Sequence, residues 1–118
     1  MYSEKRQVGN VAEQRVVEQL ERSGFTIRDR NVLCRRGELD IVAERGLLLC
    51  FVEVRSRATD VWGDPSASVS WSKQRKIVWS AMEYCQKHRL FQRVIRFDVA
   101  SVIGSDVTII EEAFDAGM

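Results

Sequence analysis

Leu47-Leu48-Leu49-Cys50-Phe51-Val52 is an unbroken apolar run, and it constrains the fold more than any other stretch of the chain. Such a run, far shorter than a membrane span, suits a central strand covered on both faces. It therefore predicts a sheet with helices packed against it. The residues just after the run are unusual for a buried strand. Glu53-Val54-Arg55 sets a carboxylate and a guanidinium two residues apart, and a strand points residues i and i+2 to the same face. Upstream, Gly37-Glu38-Leu39-Asp40-Ile41-Val42-Ala43 places another carboxylate inside an apolar, strand-like run.

Glu44-Arg45-Gly46 lies between the two segments and reads as a hairpin turn. If Arg45 and Gly46 make the turn, Asp40 faces Phe51 and lies diagonal to Glu53. If the loop has four residues, Asp40 faces Glu53 directly. Either register brings Asp40, Glu53 and Arg55 to one face, within the ~5–8 Å reach of cross-strand neighbours. Two like charges that close are unfavourable unless a cation sits between them, and a divalent metal ion is the simplest such cation.

Periodicity supplies the remaining elements. Val8, Ala12, Val16, Val17 and Leu20 form a helical stripe, and Gly24 sits where a C-cap belongs. Phe25 to Arg28 reads as a short strand, followed by strands around 37–44 and 47–55. Residues 56–70, with Gly63-Asp64-Pro65, read as a long loop able to contact a substrate. A second helix is predicted from Ser72 to Lys87, then strands over Val94–Val99 and Val107–Ile110. The expected fold class is α/β, a mixed central sheet flanked by helices in a single domain over residues 1–118. Glu13 lies on the edge of the first helical stripe, where a helix packed on the hairpin would aim it at Asp40 and Glu53.

Composition narrows the chemistry. The chain is 45% hydrophobic and 30% charged, as expected of a globular domain with a real core. No signal-peptide pattern opens it, and no apolar run approaches the ~18 residues of a membrane span, so neither secretion nor membrane insertion is expected. Three cysteines without a C-x-x-C pair fit a reducing, cytoplasmic setting. A single histidine, His88, excludes the usual zinc sites, and there is no Gly-rich phosphate loop. Charge is unevenly spread: residues 54–96 carry nine basic and three acidic side chains, whereas residues 97–118 carry five acidic and no basic ones. A basic middle directly after the carboxylate hairpin suits a polyanion lying across it.

Taken together, Gly9, Ala12-Glu13, Gly24-Phe25, Arg30-Asn31, Gly37-Glu38-Leu39-Asp40, Phe51-Val52-Glu53-Val54-Arg55, Gly63, Lys73 and Arg96-Phe97-Asp98-Val99 resemble the YraN-like family. Its members look like PD-(D/E)XK, or restriction-endonuclease-like, nucleases near the Holliday junction resolvases. The resemblance spans nearly the whole chain and implies a helix–strand–strand–strand–helix–strand core. It implies that Asp40 and Glu53 are metal-binding acids, that Glu13 is the acid of the first helix, and that Arg55 stands where the nuclease motif has lysine. The motif's proline is replaced by Leu39, which bears no chemistry. Arginine stays charged in proteins, so Arg55 is able to stabilise a phosphate but not to act as a base.

The expected activity is phosphodiester hydrolysis with Mg²⁺ (or Mn²⁺) held by Asp40, Glu53 and Glu13. Arg57, Lys73, Arg75 and Lys76 would grip the backbone of a nucleic acid, DNA in the first instance and of branched form by the resemblance. A homodimer would suit a junction resolvase. The competing expectation is a nucleic-acid-binding protein that keeps the nuclease-like fold without cutting.

Overall fold

The computed structural model describes residues 4–57 and 69–117, with side chains described from residue 11. Helix α1 (Glu4–Arg22) is followed by strands β1 (Thr26–Leu33), β2 (Glu38–Arg45) and β3 (Leu48–Arg57). Helix α2 (Trp71–His88) then leads to β4 (Val94–Ile103) and β5 (Asp106–Phe114). The strands form one five-stranded sheet in the order β1-β2-β3-β4-β5. Only the β3–β4 pair is parallel, because α2 crosses over between them; the other three pairs are antiparallel. The order of elements and the mixed, helix-flanked sheet agree with the sequence reading. Most of the expected loop over 56–70, including Trp62 and Gly63-Asp64-Pro65, lies outside the described residues.

The apolar run is the centre of this sheet. Cys50 and Val52 face α1, packing with Ala12, Val16, Val17 and Leu20. Leu49 and Phe51 face α2, packing with Ile77, Val78, Ala81 and Tyr84. Each fully buried Val, Leu or Phe contributes roughly 1.5–3 kcal/mol, which is why the central strand has no polar position until Glu53.

Helix ends follow the local chemistry. Gly24, at φ +91°, takes the left-handed conformation after α1. The Ser70 hydroxyl caps α2 by accepting the Lys73 N–H at 3.1 Å. Arg89, in the left-handed region, ends the helix through its N–H to Cys85 and Gln86 carbonyls. Strands β1, β4 and β5 run longer than their periodicity indicates. In β1 the extension runs from Asp29 to Leu33, mostly polar at first, and is held by the pairing of Asp29, Arg30, Val32 and Leu33 with β2. In β4 and β5 it is continued pairing through Ile103 and Asp106.

Candidate metal and nucleic-acid site

The β2–β3 hairpin turns at Gly46-Leu47, since Arg45 pairs with Leu48. Gly46, at φ +59°, supplies the positive φ that a two-residue hairpin requires. The register runs from there to Ile41 opposite Val52, so Asp40 comes opposite Glu53, as expected of a four-residue loop but reached here by a two-residue turn one position later than Arg45-Gly46. Beyond Ile41 a side chain takes over from the ladder: the Val54 N–H donates to Asp40 Oδ2 at 2.8 Å. Asp40 thereby holds β3 at Val54, beyond the β2–β3 ladder, and is itself held beside Glu53.

Glu53 is buried, with 6% of its surface exposed. Burial first, and then the negative charge and hydrogen bond of the adjacent Asp40, push its carboxyl up to about 7. Two cations oppose that shift. Lys73 Nζ lies 3.5 Å from Glu53 Oε1, reaching across from the first turn of α2. The charge of Arg55, on the same strand face, also favours the ionised form. Ser70 and Glu53 thus hold Lys73 at both ends, one by its backbone and the other by its side chain.

Glu13 is buried too, but among different partners. Arg30 Nε and Asn31 Nδ2 each donate to Glu13 Oε1 at 2.9 Å. Asn31 lies opposite Asp40 in the β1–β2 register and adopts φ +54°, a conformation asparagine tolerates better than most residues. Glu13 is therefore drawn to the neighbour of Asp40, and among the described residues no group of three acidic, histidine or cysteine side chains forms a ligand set. The expected triad is an acid pair, with Glu13 clamped beside it. Arg30 and Asn31 are the residues that the strand pattern did not single out as partners. Their signal was the Arg30-Asn31 pair of the family resemblance, which lies beyond the short strand read over Phe25 to Arg28.

The basic side chains divide in the same way. Lys76 is exposed on α2, and Arg57 ends β3 opposite Ile103. Arg75 was expected to grip phosphate, but its Nη1 donates to the Ala116 carbonyl and its guanidinium lies between two indole rings. A cavity of about 770 Å³ opens between the second half of α2 and the β4–β5 end, lined by Phe91, Ile95 and Phe114 among others. Neither Glu13, Asp40 nor Glu53 lines it.

A second buried carboxylate in the sheet is Asp98, at 0% exposure. Arg96 donates to it twice at 3.0 Å, Cys50 Sγ donates at 3.0 Å, and the Glu112 N–H at 3.1 Å. The last bond sits at the β4–β5 register shift, where Glu112 has φ +50°. Burial and the Asp98 carboxylate hold the Cys50 thiol protonated by pushing its pKa well up. All of the cysteines are free thiols.

No helix among the described residues is long and apolar enough to cross a membrane. The model of an uncharacterised protein family, UPF0102, matches residues 12–102. A UPF0102 protein of Myxococcus xanthus is 53% identical over 98% of this chain and 95% of its own length. One from Clostridium tetani is 37% identical over 97% of this chain and 98% of its own. Another, from Legionella pneumophila, is 38% identical over 92% and 95%. The matched region spans Glu13, Asp40, Glu53, Arg55 and Lys73, and the chain belongs to the UPF0102 family.

Proposed function

We propose that the chain is a divalent-metal-dependent nuclease that hydrolyses phosphodiester bonds in nucleic acid, DNA first. The observation that carries this reading is the Asp40–Glu53 pair. Two carboxyl groups share a hydrogen bond, one of them is buried, and its affinity for a proton is raised toward neutrality. Among the described residues the pair is held by the Val54 N–H on Asp40 and by Lys73 beside Glu53, which leaves two acids next to each other in a buried place. Hard oxygen ligands of this kind suit Mg²⁺ or Mn²⁺ rather than a softer metal. Such an ion, when bound, neutralises charge on a phosphate and makes a water more acidic.

The chain's own residues complete the assignment. Asp40 and Glu53 are the ligands, and the Val54 N–H keeps Asp40 in place. Arg55 is a fixed cation for the scissile phosphate, an electrostatic role worth roughly 3–4 kcal/mol where one such donor has been removed in other enzymes. Lys73 reaches Glu53 from the first turn of α2, so the lysine of the site stands on α2 instead of β3. Glu13 supports the β1 wall through Arg30 and Asn31 and is not assigned an ion. Lys76 and Arg57 meet the flanking backbone without reading sequence.

One observation favours the non-cutting alternative: Lys73 already offers Glu53 a positive partner. A cleavage assay separates the two. Linear duplex, single-stranded and four-way-junction DNA are incubated with Mg²⁺ or Mn²⁺, comparing wild type with Asp40→Asn and Lys73→Met. Metal-dependent cutting by the wild type, lost in Asp40→Asn while binding persists, supports the nuclease. Binding without cutting under every condition leaves the non-catalytic binder in its place.

A further inference from the structure

Two tryptophans stand on the outer face of α2, where burial gives no account of them. Trp71 is 74% exposed and Trp79 41% exposed. They lie at positions i and i+8, with Arg75 midway at i+4, so the three side chains share one stripe of the helix. The Arg75 guanidinium lies 5.9 Å from the Trp71 ring and 5.8 Å from the Trp79 ring. From the β1–β2 turn, Arg36 lies over Trp79 at 4.5 Å. The turn comes that close because Gly37 passes Ser80 and Lys76, where an added Cβ would already be tight against Ser80 Oγ at 3.3 Å.

We infer that this Trp71–Arg75–Trp79–Arg36 stripe is a stacking platform for unpaired nucleotides leading away from the acid pair. The inference rests on the proposed nucleic-acid function and names the form of nucleic acid that the site engages. Exposed aromatic surface marks a contact, and what surrounds it says with what. An apolar protein partner would meet apolar neighbours; here the rings are interleaved with guanidinium groups. The acid bordering the stripe, Glu83, already accepts the Arg35 N–H at 3.2 Å. A ligand with both a negative backbone and flat faces fits this surface, and unpaired nucleotides have both. A duplex keeps its base faces stacked inside.

The geometry sets a length. Trp71 to Trp79 spans about 12 Å along the helix at ~1.5 Å per residue, the rise of about four stacked nucleotides. The stripe begins in the same first turn of α2 as Lys73, whose ammonium lies 3.5 Å from Glu53, so both start from the same end of the helix. Arg75 is tethered to the Ala116 carbonyl and keeps the two rings apart. A base arriving at Trp79 replaces the Arg36 guanidinium on the ring and leaves it to the adjacent phosphate.

The test uses the full chain in metal-free buffer, so that nothing is cut. The probes are a short oligothymidylate and a duplex of the same length. A Trp62→Phe background leaves Trp71 and Trp79 as the only indoles. Oligothymidylate is expected to quench their fluorescence. Trp71→Ala with Trp79→Ala is expected to lower single-strand affinity by about ten- to a hundredfold, while duplex affinity moves less than about twofold. The Phe variants restore most of the loss, and Trp71→Ala alone, at a largely exposed position, gives the same direction without threatening the fold. Equal losses on both probes, or no loss and no quenching, overturn the platform while leaving the nuclease reading intact. Failure of the wild type to bind either probe overturns both.

Discussion

Two buried carboxylates sit in the same sheet under opposite conditions. Asp98 receives four donors and forms a closed knot with Arg96, Cys50 and the β5 backbone. Among the described residues, Glu53 has the Asp40 carboxyl beside it and a lysine at 3.5 Å. Both are nearly inaccessible to water, so burial alone does not distinguish a structural acid from a functional one. Satisfaction does. A charge whose lone pairs are filled stabilises the fold, whereas a charge left short of partners is available to bind something else.

The comparison breaks first at Asp98. Asp98→Ala should cost about 3–5 kcal/mol, because it takes the carboxylate from the partly buried Arg96 guanidinium, leaving it the exposed Glu111 at 3.8 Å, and also unpairs the Glu112 N–H; urea unfolding would measure it. A loss below about 1 kcal/mol would mean that the knot is not structural. Glu53 should behave in the opposite sense. Its carboxyl is raised from the ordinary 4.5 to about 7, so the folded metal-free protein keeps a proton that the unfolded chain releases. Stability therefore falls as pH rises through that window and levels off above it. Glu53→Gln should flatten the slope and leave the protein at least as stable at about pH 8, as seen in urea midpoints across the range.

Glu13 sharpens the contrast from a third position. Glu13→Ala removes the acceptor of Arg30 and Asn31 and should cost about 1–3 kcal/mol, read by thermal melting, with Glu13→Gln recovering part of it. The smallest effect belongs to Lys73. Its amine is partly exposed, so Lys73→Met should change stability by only about 0–1 kcal/mol. It should nevertheless raise the Glu53 titration further, since Lys73 favours the ionised form. A shift of that titration to lower pH in nuclear magnetic resonance would contradict the assignment.

Much of this was legible in the chain. Alternation and the short turn already put Asp40, Glu53 and Arg55 on one hairpin, because strand period and turn length are local properties. Register was open between two choices, and Gly46-Leu47 settles it by turning one residue later than Arg45-Gly46. What local pattern does not carry is the partner of a side chain far along the sequence. Glu13 meets Arg30 and Asn31 rather than Asp40, and Arg75 spends its charge on a carbonyl near the C-terminal end. The stacking of Arg36 on Trp79 likewise depends on how the β1–β2 turn lies on α2. Strand ends were under-read for a related reason: pairing with a neighbour, not apolar content, extends β1 through Asn31.

The central claim is that Asp40 and Glu53 form a divalent-cation site, and Mn²⁺ titration followed by electron paramagnetic resonance tests it most directly. At about pH 8, above the Glu53 titration, the wild type should bind the ion, and binding should weaken as protons compete below about pH 7. Asp40→Asn should lower the affinity at least about tenfold, while Asp98, sealed in its knot, contributes nothing. Mn²⁺ binding that is absent in the wild type, or equal in wild type and Asp40→Asn, would contradict the account.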